Sequence, residues 1–193
     1  MKFHAEQFQF ASLLYDSLFG LVIYFSLEKF LEIKDPIHLI FYLFSTIVII
    51  HWWLLFKSAD EMFGQITRKS ALNLVLNILY IILIQYYVLM SAKFSYNDAL
   101  IFIFILFIID LTWALIWSKF LPRRANGLSN LPKMLVEIFN IIKSDLVAIF
   151  GLLFLIIFNK FIIAPIYVFI FISIYTIYIV MTFKYEIIDL DVI

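Results

Sequence analysis

The chain has 193 residues, of which 65% are hydrophobic and only 15% are charged. Its mean hydropathy is +1.06, and soluble domains carry about a quarter charged residues. A chain of this size cannot bury so much apolar surface by itself, so lipid must cover part of it. The formal net charge is zero, which gives no reason to expect a nucleic-acid partner.

The side chains that bind cofactors and metals are scarce. Cysteine is absent, which excludes disulfides, thiolate metal sites and thiol nucleophiles. The three histidines, His4, His38 and His51, are too scattered along the chain to form a ligand cluster. We therefore expect no cofactor and no metal. No acid–base pair or nucleophile has a spacing typical of an enzyme, so we expect no enzymatic activity.

Six apolar segments follow one another along the chain, separated by polar residues. They cover residues 11–33, 37–57, 71–92, 98–120, 145–163 and 165–184. Each is close to the roughly 20 residues that a helix needs to cross the hydrocarbon core. The alternation of a membrane β-barrel is missing, and backbone groups in lipid must be paired within their own segment. The sequence therefore predicts an all-α, polytopic membrane protein in which residues 1–193 form one transmembrane domain.

Prolines mark several of these boundaries. Pro36 opens the second segment, Pro165 opens the sixth, and Pro122 follows the end of the fourth. Proline is well tolerated in the first turn of a helix and disfavoured in its interior. The prolines thus support the predicted spans.

The distribution of lysine and arginine predicts the orientation. Nine cations lie on one side of the predicted membrane: Lys2, Lys57, Arg68, Lys69, Lys119, Arg123, Arg124, Lys133 and Lys184. Four lie on the opposite side: Lys29, Lys34, Lys93 and Lys160. Cytoplasmic loops carry the excess of positive charge, so we expect both termini in the cytoplasm and a multi-pass protein of the cell (inner) membrane.

Residues 131–143 precede the fifth segment and have an amphipathic pattern. Their apolar positions share one helical face, opposite Lys133, Glu137 and Asn140. This pattern predicts an interfacial helix leading into the fifth span. A single long, tilted span from 134 to 158 is an equally good interpretation.

Polar residues recur within the predicted spans at a similar depth, in the cytoplasmic third. The members of this predicted polar layer are Asp16, His51, Asn73, Asn77, Asp110 and Asp145. Ionisable groups inside a membrane are costly and mark functional candidates. They could hydrogen-bond one another and hold the bundle together, or they could line an ion or proton path. Asp16 beside His51 is the contact we expect first.

Other features of the spans concern packing. The first span carries a stripe of polar or small residues spaced by four: Ser12, Asp16, Gly20, Tyr24 and Glu28. Gly20 would let another backbone approach closely. The fifth and sixth spans offer little beyond Ser173, Thr176 and tyrosines, so we expect them to form a lipid-facing wall. The tryptophans Trp52, Trp53, Trp113 and Trp117 predict an aromatic belt at the membrane interface, or packing around the polar layer.

The first two spans carry Leu14-Tyr15-Asp16, Leu31-Glu32-Ile33 and a run from His51 to Phe56. With these motifs, residues 10–77 resemble the lysosomal-type potassium channel family in its bacterial six-span branch. That family opens with an Arg-x-x-x-Phe-Ser-Asp signature, and here Leu14-Tyr15-Asp16 stands at its end, with Phe10 at the arginine position. Leu31-Glu32-Ile33 closes the first helix, and the run from His51 to Phe56 is similar to the second-span pattern. Asp16 is the one residue of the signature core that is retained.

The resemblance implies an oligomer whose first helices surround a pore with an apolar constriction. That constriction would fall at Leu21, with Asp16, Gly20 and Tyr24 as further pore or gate candidates. The sequence thus predicts a homo-oligomeric cation (potassium) channel. Two alternatives stay open: a membrane subunit that anchors or senses for a cytoplasmic protein partner, as in a bacterial anti-phage defence system, and a membrane subunit of a small-molecule transporter.

Overall fold

A computed structural model describes the backbone of residues 2–67, 71–93, 95–124 and 131–184, and the side chains of residues 16–58, 75–76, 78–93, 95–122 and 131–182. Within these ranges the chain is helical and forms no strand. The helices in chain order are α1 (Lys2–Phe30), α2 (Pro36–Thr67), α3 (Ala71–Ala92), α4 (Tyr96–Arg124), α5 (Leu131–Phe158) and α6 (Ala164–Lys184), with a 3-10 turn at Asn159–Phe161.

Four stretches of the described residues are long and apolar enough to cross a membrane. They are Pro36–Ser58, Tyr96–Pro122, Leu131–Phe161 and Ala164–Thr182, and a shorter apolar stretch covers Ile78–Ala92. These helices identify a membrane protein, and a helix occupies each of the six predicted segments.

A side chain caps the start of α2. Asp35 Oδ1 accepts a hydrogen bond from the His38 backbone N–H at 2.7 Å, and Pro36 occupies the first helical position. Such a cap supplies a partner for an N–H group that a helix start leaves unpaired. At the start of α4, the Ser95 hydroxyl donates to the Asp98 carboxylate, which is a contact between two side chains.

The six helices close into a ring, with α2 and α3 also touching across it. Along the ring, α1 packs on α3, α3 on α4, α4 on α5, α5 on α6, α6 on α2, and α2 on α1. Helix α4 makes the most extensive contacts in the bundle, with α5 and with α3. At the end of the bundle that holds the short connections, Asn159 Nδ2 donates to Asn97 Oδ1 at 2.8 Å and so ties α5 to the start of α4.

Helix α5 and Pro122 differ from the predicted boundaries. Residues 131–143 do not form a separate interfacial helix, because α5 runs without a break from Leu131 to Phe158. Its buried residues in this segment are Met134, Glu137, Ile138 and Ile141, so the side that packs into the bundle includes Glu137, which was predicted to lie on the polar face. Pro122 lies inside α4, within its last turn, where few of the helix's hydrogen bonds remain to be disrupted.

Three of the four tryptophans lie inside the bundle. Trp52, Trp113 and Trp117 are all less than a tenth exposed, whereas Trp53 is partly exposed. An interfacial belt would leave such rings at the lipid boundary. The structure therefore favours the packing interpretation for these three rings.

Candidate functional site

His51 connects α2 to α6 through both of its ring nitrogens. Nδ1 lies 3.1 Å from the Tyr175 hydroxyl and Nε2 lies 2.9 Å from Thr182 Oγ1. The Thr182 hydroxyl donates to the Ile179 carbonyl at 2.7 Å, so its oxygen is left to accept from Nε2–H. The Tyr175 hydroxyl then donates to Nδ1. A buried imidazole with both nitrogens bonded is a strong cross-link between two helices.

Asp110 lies on α4 and faces α3. Its Oδ1 accepts a hydrogen bond from the Tyr80 hydroxyl at 2.9 Å. Tyr80 is buried, whereas Asp110 is partly accessible. The carboxyl group is therefore bonded to a neighbouring helix.

Asp145 lies deeper, on α5, and is 0% exposed. The Tyr178 hydroxyl of α6 approaches its Oδ1 at 3.4 Å. Its Oδ2 is buried and has no hydrogen-bond partner among the described residues. An unbonded buried carboxyl oxygen is unfavourable, and Asp145 Oδ2 is one of several such buried polar atoms among the described residues.

The two carboxyl groups belong to one cluster. Tyr178, the neighbour of Asp145, has its ring centroid 5.5 Å from that of His51. Trp52 packs between Tyr178 at 6.5 Å and Tyr80, the partner of Asp110, at 5.8 Å. We call this the buried polar cluster and define it by residues that share contacts at the junction of α2 to α6: His51, Tyr80, Asp110, Asp145, Tyr175, Tyr178 and Thr182.

Aromatic rings enclose the buried polar cluster. Phe107, three residues before Asp110, meets the Tyr178 ring edge to face with centroids 4.7 Å apart. Trp52 lies 5.2 Å from Phe107 and 5.8 Å from Tyr80. These rings exclude water and hold the tyrosine hydroxyls in place, and they lower the local dielectric, which strengthens every charge interaction in the cluster.

Among the described side chains, no lysine or arginine pairs with the carboxyl groups of the cluster. Across the described side chains, the ion pairs are Lys29–Glu32 at 2.9 Å and Lys57–Asp16 at 3.6 Å. Neither involves Asp110 or Asp145. In the same part of the chain, no three His, Asp or Glu side chains are grouped so as to hold a metal ion.

Asp16 does not join this cluster. Its carboxylate accepts a hydrogen bond from Trp53 Nε1 at 3.1 Å and pairs with Lys57 at 3.6 Å. Trp53 and Lys57 lie about 200° and about 240° around α2 from His51, so Asp16 packs on a different face of that helix. The expected Asp16–His51 contact is therefore absent: Asp16 contacts Trp53 and Lys57, and His51 contacts Tyr175 and Thr182.

The remaining members of the predicted polar layer divide into two groups. His51, Asp110 and Asp145 meet in the buried polar cluster. The side chains of Asn73 and Asn77 lie outside the described residues.

Sequence reasoning missed the contribution of α6. The sixth span was expected to face lipid, yet Tyr175, Tyr178 and Thr182 are all almost fully buried. Together with Phe171 they recur at steps of four, three and four residues, which is the spacing of one helical face. That periodicity was the available signal. On α5, Ala148, Leu152 and Leu155 are likewise buried rather than part of the expected lipid-facing wall.

The predicted gate residues lie on the outside of the bundle. Phe25, Leu27 and Lys29 of α1 are also exposed, but one exposed set lies within about 60° of a single direction: Ser17, Gly20, Leu21, Tyr24 and Glu28. The buried positions lie on the opposite side: Phe19, Val22 and Ser26. We call the exposed set the outer α1 face.

Comparison of the chain with protein-family models, with curated proteins and with solved structures finds no match. The resemblance of the first two spans to potassium channels therefore stays a prediction from the sequence.

Proposed function

We propose that the protein is a channel for monovalent cations, chiefly potassium, formed by several copies of the chain in the cell (inner) membrane. In this proposal all six helices cross the bilayer and both termini lie in the cytoplasm. Four candidate spans and the excess of cations on one side of the predicted membrane support this topology.

The observation that carries the proposal is the environment of Gly20. A Cβ atom at this position would meet no atom of the described residues within 4 Å, so nothing in that part of the chain requires a glycine there. Glycine in a helix interior costs about 1 kcal/mol relative to alanine. In membranes, small residues occur where two helices approach closely. A second copy of the chain, packed on the outer α1 face, accounts for this glycine.

The composition of the outer α1 face supports the same interpretation. The exposed row of α2 is purely apolar, as a lipid-facing surface should be: Ile40, Leu43, Ile47 and Ile50. The outer α1 face instead mixes glycine, serine, tyrosine and glutamate with Leu21. Polar groups at membrane depth favour protein or water as neighbours over lipid. A subunit interface around a water-filled pore supplies both.

Leu21 is our candidate for the constriction. Its side chain is 52% exposed and Tyr24, one turn further on, is 63% exposed. Both are free to meet their counterparts across a symmetry axis. A ring of leucines a few ångströms wide excludes water and thereby blocks ions. We expect it to be the closed gate.

Asp16 has a supporting role in this proposal. Its ion pair with Lys57, which also lies 4.8 Å from the centre of the Trp53 ring, joins α1 to α2 next to the outer face. The carboxylate is occupied by this contact. We therefore expect Asp16 to brace the position of α1 rather than to bind the permeating ion.

Flux through reconstituted protein tests the proposal. Purified wild type, Leu21→Asn and Ile47→Asn are placed in liposomes, and potassium and sodium fluxes are recorded together with the oligomeric mass. Leu21→Asn hydrates the constriction, so it should raise potassium flux at least tenfold. Ile47 is the matched control, because it is similarly exposed at 49% but lies on α2, outside the proposed pore.

The possible outcomes separate the competing functions. A stable oligomer with a selective increase in Leu21→Asn supports the channel. A monomer, or equal flux in the two asparagine variants, contradicts it. An oligomer that stays as tight as empty liposomes in all three forms favours a subunit that anchors or senses for a partner.

A further inference from the structure

Gln85 is a polar side chain on the outside of the bundle, at the middle of an apolar stretch. That stretch is Ile78–Ala92 of α3, and Gln85 is exposed. A carboxamide donates and accepts hydrogen bonds, whereas lipid tails do neither. Gln85 therefore favours a protein neighbour over lipid. The other described exposed positions of α3 lie with it within about 60° of one direction and complete the outer α3 face: Val75, Ile78, Leu79, Ile82, Tyr86 and Leu89.

Exposed hydroxyl groups elsewhere in the bundle have a partner within their own helix. Thr112 donates to the Ile108 carbonyl at 2.7 Å. Ser173 donates to the Phe169 carbonyl at 2.9 Å. Such bonds to the preceding turn are typical of short polar side chains. These hydroxyl groups can therefore face lipid, but glutamine does not belong to the residues that bond in this way.

The outer α3 face has one side towards α4 and one side towards α1. The Tyr86 ring stacks on Phe102 of α4, with centroids 5.3 Å apart and planes inclined by 14°. Gln85 is about 100° around the helix from Tyr86. It therefore lies on the other side of the outer α3 face, towards α1, which also packs on α3.

The outer α1 face also divides into two halves. Gly20 and Tyr24 lie within about 40° of each other, and Leu21 and Glu28 lie about 70° further around the helix. Asp16 contacts α2 and lies about 40° from Gly20, on the side away from Tyr24. The Gly20–Tyr24 half is therefore the side of α1 towards α2, and the Leu21–Glu28 half is further from α2.

Hydrogen bonds between neighbouring helices fix the relative depths of α1 and α3. On one side of α2, Tyr42 donates to the Ser26 carbonyl of α1 at 2.7 Å. On the other side, Tyr87 of α3 donates to Ser45 Oγ at 2.9 Å. Tyr42 and Ser45 are about one turn apart on α2, which runs antiparallel to α1 and to α3. This alignment places the amide on the outer α3 face within about one turn of Tyr24 in depth.

We propose that the Gln85 amide of one copy bonds to the Tyr24 hydroxyl of the next copy around the pore. This inference rests on the proposed assembly around α1, and it makes the outer α3 face the second half of the interface between copies. A ring of identical subunits needs two different, complementary patches on each copy. With α1 of every copy at the axis, the α3 side of one copy meets the α2 side of the next. Those two sides carry Gln85 and the Gly20–Tyr24 half.

The two patches match in depth, chemistry and shape. Copies related by an axis along the membrane normal keep equal depths, so Gln85 and Tyr24 meet at the same level. The phenol can donate to the amide carbonyl or accept from the amide N–H. About one turn before them lie Ile82, which is 44% exposed, and Gly20, where a Cβ would meet no described atom within 4 Å. The isoleucine side chain fills the space that the glycine leaves.

Cross-linking between copies tests this contact, because the chain has no natural cysteine. Tyr24→Cys with an affinity tag and untagged Gln85→Cys are expressed together, purified in mild detergent and treated with a short bifunctional methanethiosulfonate. A product that joins a tagged to an untagged chain forms only between copies. The control replaces Gln85→Cys with Phe150→Cys, since Phe150 is exposed but lies on α5, opposite α1 in the ring of helices. We expect the Gln85 pair to cross-link and the Phe150 pair not to.

A double-mutant cycle tests the hydrogen bond itself. Gln85→Leu and Tyr24→Phe each remove one partner and keep most of the side-chain shape. Each should weaken association of the copies about three- to tenfold, and the double variant should weaken it no further. Association is measured by fluorescence transfer between labelled copies during dilution into detergent, and circular dichroism checks that each variant folds. Tyr86→Phe is the control: it removes a hydroxyl from the α4 side of the outer α3 face and should leave association unchanged.

The outcomes separate this inference from the channel. If the protein is an oligomer but the Gln85 pair gives no more product than the Phe150 pair, or if the effects of Gln85→Leu and Tyr24→Phe simply add, the inference is wrong and the channel can stand. If the pair cross-links and the two substitutions couple, the inference stands even where liposomes show no potassium flux. A monomeric protein overturns both.

Discussion

Replacing Thr182 with valine should destabilise the bundle although it preserves the shape of the side chain. The hydroxyl at this position accepts from His51 Nε2 at 2.9 Å, and both residues are buried. Valine would leave the imidazole N–H without its partner in a water-free interior. Such a loss costs about 1–3 kcal/mol in soluble proteins, and single interhelical hydrogen bonds in membrane proteins are worth about 0.6–1.7 kcal/mol.

We therefore expect Thr182→Val to lower the free energy of unfolding by about 1–2 kcal/mol. For a chain of this length that corresponds to a melting temperature lower by about 2–8 °C. The measurement is thermal unfolding in a mild detergent, followed by circular dichroism. A stepwise titration with sodium dodecyl sulfate gives the free-energy difference independently.

Thr112→Val is the matched control. Thr112 is exposed, and its hydroxyl donates to the Ile108 carbonyl of its own helix at 2.7 Å, so the same substitution removes no contact between helices. Its stability should stay within about 0.5 kcal/mol of wild type. If the two valine variants unfold at the same temperature, His51 does not hold α6 through Thr182, and the hydrogen-bond reasoning is refuted.

Two further predictions concern glycines and topology. Gly151→Ala should lose about 1–3 kcal/mol of stability through overpacking, because a Cβ there would lie 2.8 Å from Ile174 Cγ2. Gly20→Ala places its methyl group in open space and should keep or slightly raise the stability of the monomer. Equal shifts in melting temperature for the two variants in detergent would contradict this contrast. Since the chain has no natural cysteine, a cysteine at Asn97 should react with a membrane-impermeant thiol reagent in intact cells and one at Asn126 should not. The reverse labelling pattern would invert the proposed orientation.

The helices could be predicted largely from hydropathy and from the residues that begin them. Asp35 followed by Pro36 marks the start of α2, and both signals act within one turn of the chain. The uninterrupted α5 was harder, because an amphipathic beginning fits an interfacial helix and a packed helix equally well. Only the neighbours that cover Met134 and Ile138 decide between the two.

For the candidate site, the sequence predicted how deep each residue lies in the membrane, but not which neighbouring helix its side chain faces. Position along a span indicated that His51, Asp110 and Asp145 lie at a similar level, and the structure brings them together. The same reasoning also placed Asp16 beside His51, because depth carries no information on the rotation of one helix relative to another. The tyrosines of α6 were missed for a related reason: hydropathy does not distinguish a buried ring from one that faces lipid.

Helices α4 and α5 have 29 and 28 residues, so each is about 42–44 Å long, against a hydrocarbon core of about 30 Å. Two such helices, packed along each other, must tilt away from the bilayer normal or extend beyond the hydrocarbon core. Each ångström of mismatch costs a fraction of a kcal/mol. Because they pack side by side, any inclination is common to both helices, so Asp110 and Asp145 keep their depth relative to each other.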